Sequence, residues 1–474
     1  MAFISIKQRA LVKHFFSFGF TLKQLLLFIM SGLLTALSMP PYGMSFLIFI
    51  ALIPALLAVK DIGNAPAFRL GVIAGIALYG LSLKWLFTVF GFFAITLIFI
   101  LALFWGIFFL ILNMIRRRFG LMSALVMLPV IWTAVEFFRS ELWVLKFGWL
   151  ALGYSQYRSG IFLTAAAFIG VYGVGLIIAA VNGVLAMIIV FRSKKAYWLS
   201  AAILSLLSLF LLAAHKNQRE GIHINTVRAY CVHGAGTLNN MMERVEAADP
   251  APGSLICLPE YSVIDSPFNN LLLKKKVEEF ARRTRSYFIF GCLDSLIFEE
   301  SFNNVALLYG PSGRCLGKFQ KHHPIQFFID GKQGSGYPVY YTSAGVIGIG
   351  ICYDLDYVDV ARNITAKGAG LIVCPTLDNT VWHKQHAALL PFRAAETGRY
   401  IIRPAREGIS MILWPDGKVL DTTGPGGSGI LVRGVPFIYN KTFYVKHGYY
   451  IPYMCILAVI ILLGMGLSRK KCFL

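Results

Sequence analysis

The chain has 474 residues, of which 57% are hydrophobic and only 14% charged, with a formal net charge of +21. Such a composition is too apolar for a water-soluble globular chain and points to the membrane class. The positive excess is not that of a nucleic-acid groove, because the lysines and arginines recur between apolar runs instead of forming one block interleaved with aromatics.

Seven apolar stretches precede residue 215, at about 22 to 38, 44 to 59, 70 to 90, 92 to 115, 120 to 138, 161 to 191 and 197 to 214, and an eighth runs from about 450 to 467. A helix needs about 20 apolar residues to cross the hydrocarbon layer, so these are read as membrane crossings. The second is short and carries Pro54. If the tail with Lys7, Arg9 and Lys13 is cytoplasmic, alternate crossings put Lys60 and Arg69, Arg116 to Arg118, Arg192 with Lys194 and Lys195, and Arg469 to Lys471 on that side too. That predicts both termini in the cytoplasm and residues 215 to 448 outside. Ala36-Leu37-Ser38 is a passable signal-peptide cleavage site, but the long basic segment before it and Pro40-Pro41 after it favour a retained helix. Glu136 and Arg139, near an outer helix end, read as a mutually neutralised pair or as part of a lipid entry. Gly170 to Gly175 and Ala165 to Ala167 suggest close helix packing.

After Ala214, from the polar stretch His215 to Glu220 onward, long apolar runs give way to short strands and turns. His223 to Gly234 reads as a strand, 238 to 248 as a helix, and SLICLPE as a strand leading to Glu260. Leu271 to Thr284 reads as an amphipathic helix and SYFIFGCLDS as a strand; two paired strands about Pro311-Ser-Gly313 then lead to Lys321. Beyond residue 352 come a helix (YVDVARNITAKGA), a strand (GLIVCPTLDN), a helix kinked at Pro391, and two strands with a hairpin turn at Asp416-Gly417. The alternation predicts an α/β domain with helices layered on sheets. The expected organisation is a membrane domain at 1–214, an α/β domain at 215–448, and a last crossing with a basic tail at 449–474.

The stretch VIGIGICYDLD, Val346 to Asp356, is a β-branched run that breaks off at Cys352, placing a thiol at a strand's end. A thiol attacks only as thiolate, so it needs a base within reach and a positive group for the developing charge. Glu260 and Lys321, each ending a predicted strand, supply that chemistry. The eight cysteines show no CxxC or Cys/His metal spacing, so neither a metal nor another cofactor is expected, His322 and His323 being adjacent but isolated. Six of the cysteines fall in the α/β domain, where a disulfide can form provided the nucleophile stays reduced.

The order Glu260, Lys321, Cys352 resembles the nitrilase superfamily triad. With the helices, and with MPPYG, EFFRS, GWLALGYSQ, GVYGVG, LPEYS, GKFQKHH, ICYD and RAAETGRYIIRPAREGIS, the whole chain resembles that superfamily's membrane branch, the apolipoprotein N-acyltransferases. The resemblance implies a multi-pass helical domain carrying an external αββα nitrilase-like sandwich at a bacterial inner membrane. By it, Cys352 is the nucleophile, Glu260 the general base, and Lys321, with the backbone N–H of Tyr353, the oxyanion support. It further implies an acyl donor, typically phosphatidylethanolamine, a diacylglyceryl-cysteine apolipoprotein as acceptor, a thioester intermediate and a monomer. Two positions depart from the family pattern. Asp354 stands where a glutamate usually follows the Cys-Tyr pair, and after Lys321 the position of a family glutamate is Ile329, with Asp330 one later. That glutamate's role is therefore either unfilled or taken by Asp330. Competing readings are a membrane-anchored amidase transferring to water and a non-catalytic membrane scaffold.

Overall fold

A computed structural model describes residues 19–216, 223–295, 302–379 and 381–468. Lys7, Arg9, Lys13, the polar residues 217–220 and Arg469 to Lys471 lie outside the described residues. The chain divides into two units, the first comprising residues up to Ser155, Val171–Leu212 and from Tyr449, the second Gln156–Gly170 and Ala213–Gly448.

In the first unit the apolar stretches fold as helices, because a backbone in hydrocarbon must satisfy its polar groups internally. Among the described residues five apolar helical stretches are long enough to cross a membrane: Asn64–Ser82, Phe93–Phe119, Leu121–Leu142, Gly160–Phe191, which is broken at Gly170, and Lys194–Lys216. Leu22–Ser38 and Tyr450–Ser468 are further apolar helices. Asn64–Ser82 lies close on Phe93–Phe119 because Gly71 and Gly75 carry no side chain there: a Cβ at Gly75 would stand 2.7 Å from Ala102 Cα.

The expected crossing at 44 to 59 is corrected. It is not one helix but three short pieces, Ser45–Phe49, Ile53–Ala58 and Val59–Asp61. Buried side chains from neighbouring helices take the backbone groups a continuous helix would have paired. Asn182 accepts from Leu52 N–H at 2.9 Å and donates to Ile48 C=O at 2.8 Å, while Ser31 Oγ accepts from Ala55 N–H at 2.9 Å. The segment nevertheless brings Lys60 to the end of the unit that holds the Arg116 to Arg118 cluster, for Arg116 donates to Ile62 C=O at 2.8 Å and to Lys60 C=O. Glu136 and Arg139 are both buried, each with its own partners. Glu136 accepts from Trp132 Nε1 and Leu152 N–H, both at 2.9 Å, and Arg139 donates to Tyr79 OH at 2.9 Å.

The second unit holds two six-stranded sheets. One has the order β12-β1-β2-β3-β4-β5, with β1 His223–Gly234, β2 Leu255–Cys257, β3 Tyr287–Ser295, β4 Phe302–Tyr309, β5 Cys315–Gln320 and β12 Ser428–Ile438. The other has β11-β10-β9-β8-β7-β6, with β6 Val339–Tyr341, β7 Val346–Ile349, β8 Leu371–Val373, β9 Ile401–Arg403, β10 Met411–Leu413 and β11 Val419–Thr422. Strand alternation sorts the side chains. Ala229 and Cys231 join Ile347, Ile349, Val373 and Ile402 in the core between the sheets, whereas Tyr230 and Val232 face outward to Val277 and Phe280 of the helix Leu271–Thr284. On the second sheet Val360 and Leu390 come from the helices Val358–Ala366 and Leu390–Thr397. The result is an αββα sandwich.

The helix expected to kink at Pro391 is two helices, His383–Ala387 and Leu390–Thr397, with Pro391 in the first turn of the second, where its missing N–H costs nothing. Two strands escape the sequence pattern, the three-residue β6 and the long β12, which runs antiparallel along β1.

Candidate active site

Three strand ends converge. Glu260 follows β2, Lys321 follows β5 of the same sheet, and Cys352 follows β7 of the facing sheet. All three are buried, at 1%, 1% and 2% exposure. Cys352 opens a short helical turn, Cys352–Leu355, with φ +49°, a left-handed conformation that a non-glycine residue adopts only where its surroundings impose it. Its N–H donates to Pro375 C=O at 2.9 Å.

The backbone of one residue links the sulfur to the carboxylate. Cys352 Sγ donates to Leu377 C=O at 3.4 Å, and Leu377 N–H donates to Glu260 Oε2 at 2.7 Å. The other oxygen of Glu260 accepts from Lys321 Nζ at 2.9 Å and from Asn304 Nδ2 at 2.7 Å. Gly291 lets Glu260 sit there, since a Cβ on it would lie 2.6 Å from Glu260 Cα.

Asp330 completes the cage. Its Oδ2 lies 2.8 Å from Lys321 Nζ and accepts from Ile325 N–H, while Oδ1 accepts from Tyr261 OH at 2.7 Å and Asn304 Nδ2 at 2.9 Å. Lys321 thus lies between two carboxylates. Burial works to lower its pKa, but Glu260, Cys352 and Asp330 outweigh it and hold the ammonium well above its ordinary range. Burial pushes Asp330 up, yet Lys321 and the hydrogen-bond donors bring it below the usual carboxylate range. The Cys352 thiol goes the other way: burial and then Glu260 raise it well above a normal cysteine, against the pull of Lys321. At rest the sulfur keeps its proton.

Asp354 is a brace, not a partner of the lysine. Its Oδ1 accepts from the N–H groups of His322 and His323 at 2.9 and 2.6 Å, and its Oδ2 from Ile351 N–H at 2.9 Å, tying the loop after β5 to the turn that carries the cysteine. Burial raises its pKa to about 6. Tyr353 lies in that turn with its OH accepting from Tyr357 OH at 3.0 Å.

Sequence reasoning missed two groups. Asn304, inside β4, was indistinguishable from any strand polar residue, yet it bonds both carboxylates around the lysine. The second is a buried charged quartet whose Asp378 directly follows Leu377. His386 stands 2.9 Å from both Asp356 and Asp378, and Arg403 donates to Asp378 at 2.6 Å. Burial would lower the His386 pKa, but the two aspartates prevail and raise it to about 9. The only hint in the sequence was charge and histidine in otherwise apolar segments. All six cysteines of this unit are free thiols.

The sequence model described as "Apolipoprotein N-acyltransferase N-terminal domain" matches residues 31–184, and that described as "Carbon-nitrogen hydrolase" matches 224–437. An apolipoprotein N-acyltransferase of Geobacter metallireducens is 25% identical over 94% of this chain and 96% of its own length. One of Gloeobacter violaceus is 26% identical over 93% of each. Among solved structures, Saccharomyces cerevisiae Nit3, of branch 10 of the nitrilase superfamily, aligns at 18% identity over 54% of this chain and 100% of that one, with a TM-score of 0.40.

Proposed function

Because the chain belongs to the apolipoprotein N-acyltransferase family, we propose that it is a membrane acyltransferase that moves a fatty acyl chain from a phospholipid, through a Cys352 thioester, to the N-terminal amine of diacylglyceryl-cysteine on apolipoproteins. The observation that carries this reading is the Leu377 backbone, whose N–H holds the Glu260 carboxylate and whose C=O holds the Cys352 thiol, while Lys321 lies on the other oxygen of Glu260.

In the first half-reaction the thiol proton passes to Glu260 as Sγ attacks the ester carbonyl. The oxyanion donors in this reading are Lys321 Nζ and the Tyr353 N–H, since fixed donors stabilise the charge that develops there. Collapse expels the lysophospholipid, whose alkoxide takes the proton from Glu260, and leaves the thioester. In the second half the acceptor's α-amine attacks that carbonyl and gives its proton to Glu260. The sulfur leaves as thiolate and regains the proton. Because burial holds the resting thiol protonated, the base is required in the attack itself.

Phosphatidylethanolamine is the proposed donor and a monomer the working unit. The catalytic domain, residues 215 to 448, faces the periplasm, with both termini in the cytoplasm of a bacterial inner membrane. A nucleophile on a domain tethered by helices at both ends meets two lipid-anchored substrates without either leaving the bilayer.

Mass spectrometry of the detergent-solubilised protein after incubation with phosphatidylethanolamine should show one acyl group on Cys352 and lysophospholipid in solution. Cys352→Ala should show none, and Glu260→Gln should slow adduct formation by about 100-fold or more. A full-speed adduct in Glu260→Gln would remove the glutamate from the mechanism, and free fatty acid with no transfer to a diacylated peptide would favour a hydrolase.

A further inference from the structure

Directly after Lys321 the chain places two histidines, and the fold brings them to a carboxylate that sequence spacing does not reveal. Asp359, in the first turn of the helix Val358–Ala366, has its two oxygens 2.9 and 3.0 Å from His323 Nε2. His322 Nε2 lies 3.9 Å from Asp359 Oδ2 and 3.1 Å from Tyr337 OH, and that hydroxyl donates to the same Oδ2 at 2.9 Å. One donor atom from each of His322, His323 and Asp359 lies within 4.8 Å of the others.

Zinc bonds of about 2.0 to 2.2 Å to nitrogen and oxygen put neighbouring ligands of a tetrahedron roughly 3.3 Å apart. The spacings to Asp359 here, 2.9 to 3.9 Å, fall on either side of that value, and all three donor atoms lie within 4.8 Å of one another. The backbone is already fixed, because both histidine N–H groups donate to the buried Asp354 Oδ1. The side chains are 15%, 11% and 24% exposed, open enough for an ion to enter and for water to take the fourth position. Two imidazoles and one carboxylate suit a first-row divalent ion, zinc above all, and not calcium or magnesium, which prefer all-oxygen sets.

We infer that His322, His323 and Asp359, with Tyr337 in support, form a divalent transition-metal site that fastens the loop carrying Lys321 to the helix following the nucleophile. The neutral imidazoles bind through Nε2, the His323 proton that faces Asp359 moving to Nδ1, and no redox step is involved. The site is separate from the acyl-transfer chemistry and stands or falls independently of it.

The test is a cobalt(II) titration of the full-length, detergent-solubilised chain in a Cys352→Ala background, which removes the nucleophile's thiol as a competing ligand. A visible band of four-coordinate cobalt should saturate at one ion per chain, be displaced by zinc, and weaken by tenfold or more in affinity in His323→Ala and in Asp359→Asn. His323→Cys should restore binding with a thiolate-to-cobalt charge-transfer band, which a misfolded chain would not give. Absence of a saturable band, or a band indifferent to both substitutions, overturns the proposal and leaves a hydrogen-bonded histidine and aspartate cluster only.

Discussion

Lys321 is enclosed by Glu260 and Asp330, and an ammonium so placed stays charged through the neutral range. Asp330, one residue after the position at which the resemblance expects a glutamate, lies 2.8 Å from Lys321 Nζ. Removing it leaves a buried cation with half its compensation, which costs about 3 kcal/mol when a buried pair is broken. Asp330→Ala should accordingly lower the thermal unfolding midpoint and slow thioester formation, while Asp330→Glu keeps most of both. An Asp330→Ala protein with unchanged melting and rate would show that Glu260 alone suffices. His386 gives a pH signature. Its folded pKa of about 9 lies above the 6.5 of an ordinary histidine, so the stability it contributes is full below about pH 6.5 and is lost as pH rises through 9. The amount is on the order of 3 kcal/mol. Unfolding midpoints taken from pH 6 to 10 should fall over that window in the native protein and fall much less in His386→Gln; equal slopes would place the transition elsewhere.

The signature RAAETGR proves to be scaffolding. Arg393 and Glu396 form a fully buried pair at 2.9 Å on one face of their helix, and Arg399 donates to the carbonyls of Ala369, Thr397, Gly398 and Asn440. Arg399 so ties the end of this helix to the residues just before β8 and to the segment after β12. A different constraint governs β3, where Gly291 packs against the backbone of Glu260. Gly291→Ala should push Glu260 out of line and reduce the adduct rate by about 100-fold, as small misplacements of reacting groups do. The circular-dichroism spectrum should stay native. Unimpaired adduct formation in that variant would mean that β2 can yield without loss of alignment.

For the molecule as a whole, orientation in the bilayer is open to direct measurement. Cys315 is the exposed cysteine of the catalytic unit, the other five being buried. A membrane-impermeant maleimide added to intact spheroplasts should label Cys315 and fail on Cys315→Ser. Labelling only after the membrane is broken would put the domain in the cytoplasm. The interrupted segment at 45–61 returns the chain to the Arg116 end of the first unit although one expected helix is broken.

Period and composition carried much of this architecture. Long apolar runs must be helices in lipid, and β1, β3 and the helix Leu271–Thr284 announce themselves by alternation or amphipathic spacing. The positions of Glu260, Lys321 and Cys352 were legible for the same reason, each standing where an apolar strand stops. Non-local pairing left no such trace. The break at 45–61 depends on Asn182, 130 residues away by sequence, accepting from Leu52 N–H. The strand β12 is only a strand because β1 lies beside it. The partnership of Asp330 with Lys321, of Asn304 with both carboxylates, of His386 with two aspartates and of His323 with Asp359 arises because facing sheets and distant loops are folded together. Charge compensation in a buried site is set by separation in space, and a linear spacing contains that only where the chain is locally regular.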